Sequence, residues 1–172
     1  MMWRDTFNLL LSIGTLIFQI ALILAVIIRI ALPKGEISKF LSRNALKISF
    51  LIALAGMAMS LFYSEVVGYA PCELCWYQRI ALYPLMPLFG FAWIFGEKGR
   101  AIRWTGIVLA GAGAIVSAYQ YIATAWFPTS LTCAASQVSC AKLYFNTFGF
   151  ITIPLMAFTA FIAVVFLLSI AE

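Results

Sequence analysis

Apolar residues run almost unbroken through five stretches of the chain, Asn8–Leu32, Ile48–Val66, Trp76–Phe95, Trp104–Trp126 and Phe148–Ile170. A hydrocarbon layer about 30 Å thick is crossed by roughly 20 helical residues, so each stretch predicts a transmembrane helix. Between them no polar segment exceeds a loop, and no separate soluble domain is expected. Composition agrees: 65% of residues are hydrophobic, 10% are charged, and the mean hydropathy is +1.04. Soluble domains sit nearer half apolar and a quarter charged. The expected fold class is an all-α integral membrane protein, one small bundle in the lipid bilayer.

The first stretch could be mistaken for a cleaved signal peptide. A signal core is about 7–15 residues long, preceded by positive charge and followed by a small-residue cleavage site. Here the apolar run is longer, its main basic cluster follows it, and no Ala-x-Ala precedes Pro33. We therefore expect a retained helix. Ser12, Thr15 and Gln19 share one of its faces, either turned into the bundle or simply tolerated, and Arg29 is placed to snorkel at its far end. Gly106, Ala110, Ala114 and Ala118 recur every four residues, a stripe of small residues that lets helix backbones approach in lipid. Pro84 and Pro87 interrupt the third stretch and Pro154 the last, each removing a backbone donor.

The net charge of +5 is unevenly placed. Lys34, Lys39, Arg43 and Lys47 fall between the first two stretches, and Lys98, Arg100 and Arg103 between the third and fourth; the opposite side holds only Arg4, Arg79 and Lys142. Short loops rich in Lys and Arg stay cytoplasmic. The charge is thus a topology signal that calls for no nucleic acid. It puts the N-terminus outside, the C-terminus in the cytoplasm and all four cysteines on the outer face.

Those cysteines form two pairs, Cys72/Cys75 after the second stretch and Cys133/Cys140 after the fourth. Three readings compete. As staples, loops this short would gain only about 2–3 kcal/mol each in the chain-entropy model. As a metal site, four thiolates could hold zinc, although the second pair has six intervening residues and the chain contains no histidine. As exchange centres, the short Cys-x-x-Cys ring is reactive and readily reduced, which suits all four positions on an outer face. Arg79 lies four residues after Cys75, on the same helix face. Cys75 falls near a helix N-terminus, where the dipole favours negative charge. Arginine and dipole together should lower its pKa, while Arg79 could polarise a carbonyl. As a bland alternative, Arg79 only snorkels.

Pro71-Cys72-x-Leu74-Cys75-x-Tyr77-Gln78-Arg79 resembles the signature of the bacterial disulfide bond formation protein B (DsbB) family. The likeness runs over four helices from about Ile48 to Ile170 and includes Phe148-Gly149-Phe150-Ile151-Thr152-Ile153-Pro154, as in short-loop members. It implies a thiol:quinone oxidoreductase bundle over residues 48–172, with residues 1–47 an additional transmembrane helix and a basic cytoplasmic loop. It also implies an activity. A reduced thioredoxin-fold, DsbA-like partner attacks a Cys133–Cys140 disulfide at Cys133. Cys140 then exchanges with Cys72, and Cys75 delivers electrons to ubiquinone or menaquinone held by Arg79. The location implied is the bacterial inner membrane.

Two features depart from the family pattern. The well-studied branch has four helices, so Asn8–Leu32 is an addition, and the six-residue spacer between Cys133 and Cys140 limits how far Cys133 can travel. The vitamin K epoxide reductase type also pairs outer cysteines with a Cys-x-x-Cys beside quinone, but there the shuttle pair comes first in the chain. A non-catalytic metal-binding or scaffold protein is the alternative outside redox chemistry. Trp76, Tyr77, Trp126 and Phe127 are expected in the outer interfacial belt, with Trp76 or Tyr77 also able to reach a quinone ring, and Glu65 and Glu73 to face water.

Overall fold

In a computed structural model, which describes residues 2–96, 99–127, 139–140 and 143–171, the regular elements of the described residues are all helices. Helix α1 spans Met2–Ala31, α2 Glu36–Leu61, α3 Glu73–Leu82, α4 Leu85–Ile94, α5 Arg100–Trp126 and α6 Ile153–Ile170. A single π-helical turn, Phe62–Val66, extends α2. Among the described residues four runs are long and apolar enough to cross a membrane: α1, α2 with its π turn, α5 and α6. The apolar stretch Trp76–Phe95 is carried by α3 and α4 in tandem, each 10 residues and about 15 Å long at 1.5 Å per residue, with Cys75 just ahead of it. The chain is a multi-pass membrane protein.

Three boundaries differ from the hydropathy reading. Helix α2 begins at Glu36, so Lys39, Arg43 and Lys47 ride on its first turns and do not lie in a loop. A helix need not stop where the hydrocarbon does: Gly35 sits extended at its start, and Glu36 pairs with Lys39 at 2.9 Å. The third stretch is two helices broken at Tyr83–Pro84. Pro84 stands at the start of α4 and Pro87 in its first turn, where a missing N–H goes unnoticed. Likewise Pro154 does not interrupt the last helix but opens it. The preceding residues fold into a tight turn closed by Thr147 and Ile151, with Phe148 and Gly149 at φ 57° and 78°.

The core lies where α2, α3, α4, α5 and α6 converge, around Leu85, Phe89, Ala110, Ala114, Phe161 and Leu168. The small-residue stripe of α5 makes this possible. A Cβ on Gly106 would sit 2.7 Å from both Leu168 and Phe89, and one on Gly113 would collide with the Phe161 ring. Helix α1 packs at the edge, mostly exposed, yet its polar face turns inward. Asn8 Nδ2 donates to Tyr69 at 3.1 Å, Ser12 is fully buried, and Gln19 Nε2 donates to Thr159 Oγ1 at 2.9 Å. Arg29 bonds the Pro33 carbonyl and Ser38 Oγ at the other end of α1. Arg103 donates to Leu168 O and Ser42 to Ile170 O, gathering α6's C-terminus, Arg103 and the basic start of α2 at one end of the bundle. Lys98 and Lys142 lie outside the described residues. Cys72, Cys75 and Cys140 occupy the opposite end.

Candidate functional site

Pro71 keeps the chain extended, and Cys72 caps α3 from a β-region conformation, its Sγ accepting from Cys75 N at 3.4 Å. Cys75 therefore falls in the first helical turn, just ahead of the apolar run that begins at Trp76. The two sulfurs are 2.8 Å apart, a free dithiol sharing one hydrogen bond. Cys140 is disulfide-bonded and packs with Cys72 and Ala123 in one buried cluster. Cys133 lies outside the described residues. Two cysteine-bearing segments separated by a whole helix hairpin thus meet at one end of the bundle.

The shared hydrogen bond splits the two thiols electrostatically. Chiefly because Cys72 donates to it, the Cys75 thiol is lowered to about 6, with burial opposing and Gln120 and Arg79 adding smaller help. The same bond, together with burial, pushes Cys72 upward. The sequence reading credited Arg79 and the helix dipole with this activation; Arg79 proves the smallest of the resolved causes. It serves elsewhere. Its Nε and Nη2 donate to Ser60 Oγ and O, both at 3.0 Å, and its guanidinium lies 5.2 Å from the Trp76 ring.

Below the dithiol opens a cavity of about 460 Å³. Cys75, Cys72 and Arg79 line its upper wall, Leu51, Met59 and Leu82 its apolar sides. Tyr63 stacks on Tyr69 and Tyr69 on Tyr144 along its wall, ring centroids 5.6 and 4.3 Å apart. Helix α1 contributes Leu11, Thr15 and Phe18 to the wall, so its inward polar face includes Thr15 as well as Ser12 and Gln19. Thr152, only 5% exposed, also lines the cavity, and its Oγ1 has no hydrogen-bond partner. Trp76 and Tyr77 stand outside among the exposed aromatics, with Trp126 and Phe127. Glu65 is exposed, and Glu73 accepts from Tyr77.

Two glutamines complete the site, and neither carried a role in the sequence reading. Gln120 of α5 reaches Cys72 Sγ, Cys75 Sγ and Cys140 O through its amide nitrogen, at 3.3, 3.8 and 3.5 Å. Gln78 of α3 donates to Gln120 Oε1 at 2.7 Å. Gln78 stands in the Pro71–Arg79 signature without a role of its own, and Gln120 is marked only as an uncharged amide in a largely apolar helix; nothing shows that residues 42 positions apart would meet.

The family model for disulfide bond formation protein DsbB matches residues 42–171. The chain belongs to the DsbB family. Among DsbB-family relatives, a probable disulfide formation protein of Oceanobacillus iheyensis is 41% identical over 125 residues, 72% of this chain and 85% of that protein. Disulfide bond formation protein C of Bacillus subtilis is 40% identical over 119 residues, covering 68% and 84%. No solved structure matches the chain. Among the described residues no group of cysteine, aspartate or glutamate side chains could hold a metal ion. The matched DsbB region holds both cysteine pairs and every helix of the described residues except α1 and the start of α2.

Proposed function

We propose that the chain is a thiol:quinone oxidoreductase that reoxidises an extracytoplasmic thioredoxin-fold, DsbA-like dithiol and passes the electrons to ubiquinone or menaquinone. The observation that carries this reading is the position of Cys75, a thiol poised to ionise on the wall of an apolar cavity. The cavity lies within the roughly 300–1,000 Å³ of small-molecule sites. Its chemistry suits a flat ring with oxygens at its edge and an apolar tail. Ser60 takes only part of Arg79's donor fork, and the buried hydroxyl of Thr152 lacks a partner.

Bound there, a quinone would supply an acceptor for two electrons and two protons and leave as quinol. The residues do the rest. Cys75 presents the thiolate, and Cys72 closes the Cys72–Cys75 disulfide as the pair is oxidised. At the outer pair, the partner's thiolate attacks Cys133, freeing the Cys140 thiolate. Cys140 attacks Cys72, forming a Cys140–Cys72 bond and expelling the electron pair onto Cys75. The partner's second thiolate then attacks its own sulfur in the mixed disulfide, closing the partner's disulfide and releasing the Cys133 thiolate. Cys133 attacks Cys140 and expels the Cys72 thiolate, which restores the outer disulfide and leaves the inner pair reduced. Net, the partner's dithiol becomes a disulfide and quinone becomes quinol. The excess of basic residues at the other end supports a cytoplasmic C-terminus, an outer N-terminus and an extracytoplasmic cysteine end in a bacterial inner membrane.

Quinone absorbance followed with purified protein and a reduced thioredoxin-fold donor tests this. Turnover should occur with the wild type and vanish in Cys75→Ala and Cys133→Ala. Folded protein that reduces neither ubiquinone nor menaquinone would sink the proposal, and bound zinc in metal analysis would favour a metal-site reading.

A further inference from the structure

Gln120 makes polar contacts to both cysteine systems, to Cys72 and Cys75 on one side and to Cys140 on the other. It is 4% exposed, Cys72 4% and Cys140 2%, so water does not compete for these contacts. Its orientation is settled by chemistry. The Cys140 carbonyl can only accept, so the Gln120 amide nitrogen must face it, and the amide oxygen must face Gln78. Gln78, itself 7% exposed, then has to donate, which is the 2.7 Å bond observed. The Gln120 backbone carbonyl is in turn held by Thr124 Oγ1 at 2.6 Å.

We infer that Gln120 is a positioning residue for transfer between the pairs, holding Cys140 against Cys72 and donating to whichever inner sulfur carries negative charge, with Gln78 as its orienter. This rests on the exchange reading above. When the Cys140 thiolate attacks Cys72, the new bond forms beside the amide and the displaced electron pair appears on Cys75, within the reach of the same NH₂ group. A donor that serves both the attacked and the leaving sulfur need not reorient during the step. Hydrogen bonds to an anion are roughly twice as strong as neutral ones, so the contact tightens as charge arrives. An ordinary buried amide pair would satisfy itself; this pair spends its second donor on sulfur.

The test uses the full-length protein carrying Cys75→Ala and Cys133→Ala, so that Cys72 and Cys140 are its only thiols. Diamide oxidises these to a Cys72–Cys140 disulfide, being itself reduced to the hydrazide, and gel mobility reads the rate. Neither quinone nor a protein partner is involved. Gln120→Leu should slow the cross-link about tenfold, and Gln120→Glu further, because a carboxylate repels both the thiolates and the Cys140 carbonyl. Gln78→Leu should slow it less, and the Gln78→Leu, Gln120→Leu pair should be no slower than Gln120→Leu alone, the non-additivity of residues acting as a unit. A purely structural amide pair would make the two Gln120 variants alike and the double variant slower. Rates within twofold of the parent in all variants would overturn the inference, and if Gln120→Leu does not fold, Gln120→Glu and Gln78→Leu carry the test. Absence of quinone turnover in the four-cysteine wild type, with these rate differences intact, would instead overturn the exchange reading and leave the contact standing.

Discussion

Replacing Cys72 with alanine should change how Cys75 responds to pH far more than how fast it reacts at neutrality. Cys75 is lowered from an ordinary 9.0 to about 6, and the thiol of Cys72 is the principal cause. At pH 7 the native group is then about nine-tenths ionised, against about one part in a hundred if the shift is released. That factor of about 90 is offset because intrinsic nucleophilicity falls with pKa: a Brønsted slope of roughly 0.4–0.5 over such a shift costs about 20-fold. The net loss at pH 7 is about fivefold; at pH 5.5 it is about 40-fold. Above neutrality the order reverses, and the two profiles should cross between about pH 7 and 8. The assay is stopped-flow attack on a small aromatic disulfide in a Cys133→Ala, Cys140→Ala background, where the other groups acting electrostatically on Cys75 are Arg79 and the Tyr144 hydroxyl. Linkage carries the same sign. A thiol lowered on folding contributes stability that is present above its ordinary value of 9.0 and lost as pH falls through about 6. The melting temperature of the reduced protein should therefore rise across that window, and Cys72→Ala should flatten the rise. Superimposable profiles, or a larger shift from Arg79→Gln than from Cys72→Ala, would refute the assignment of causes.

Thr152→Val removes the unpartnered hydroxyl from the cavity wall with little change in shape. The KM for a short-chain quinone should rise about 2- to 10-fold with kcat largely kept, the worth of one neutral hydrogen bond of about 0.5–1.5 kcal/mol; an unchanged KM would remove Thr152 from the binding wall. Gly113→Ala forces a methyl into the Phe161 ring where α5 and α6 touch. Overpacking of this kind costs roughly 1–3 kcal/mol, and thermal unfolding in detergent should fall accordingly, whereas Gly111→Ala, with open space around its Cβ, should not.

Much of this was written locally and could be read from the sequence. Uninterrupted apolar runs gave the crossings, because lipid demands length and hydrophobicity within a single segment. The Pro71–Arg79 run marked the dithiol because capping, spacing and charge all lie within three turns. Where distant segments had to meet, the sequence was silent. Nothing in it pairs Gln78 with Gln120, or turns Thr152 toward the same cavity as Phe18. The extent of α2 was misjudged for a different reason. Hydropathy reports where hydrocarbon ends, whereas a helix ends where its backbone runs out of partners, and Glu36–Lys47 keeps them. The activation of Cys75 was expected for incomplete reasons, since a charge four residues away is visible in a sequence and a 2.8 Å sulfur contact is not.

Helix α1 stands outside the region that matches the DsbB family, yet Leu11, Thr15 and Phe18 form part of the chamber beside Cys75. The instrument and the room it works in are therefore encoded by different stretches of the chain. Substitutions in α1 can widen, narrow or reshape the space offered to an acceptor without touching a cysteine, a glutamine or Arg79. Selection can thus retune what enters while leaving the sulfur chemistry fixed.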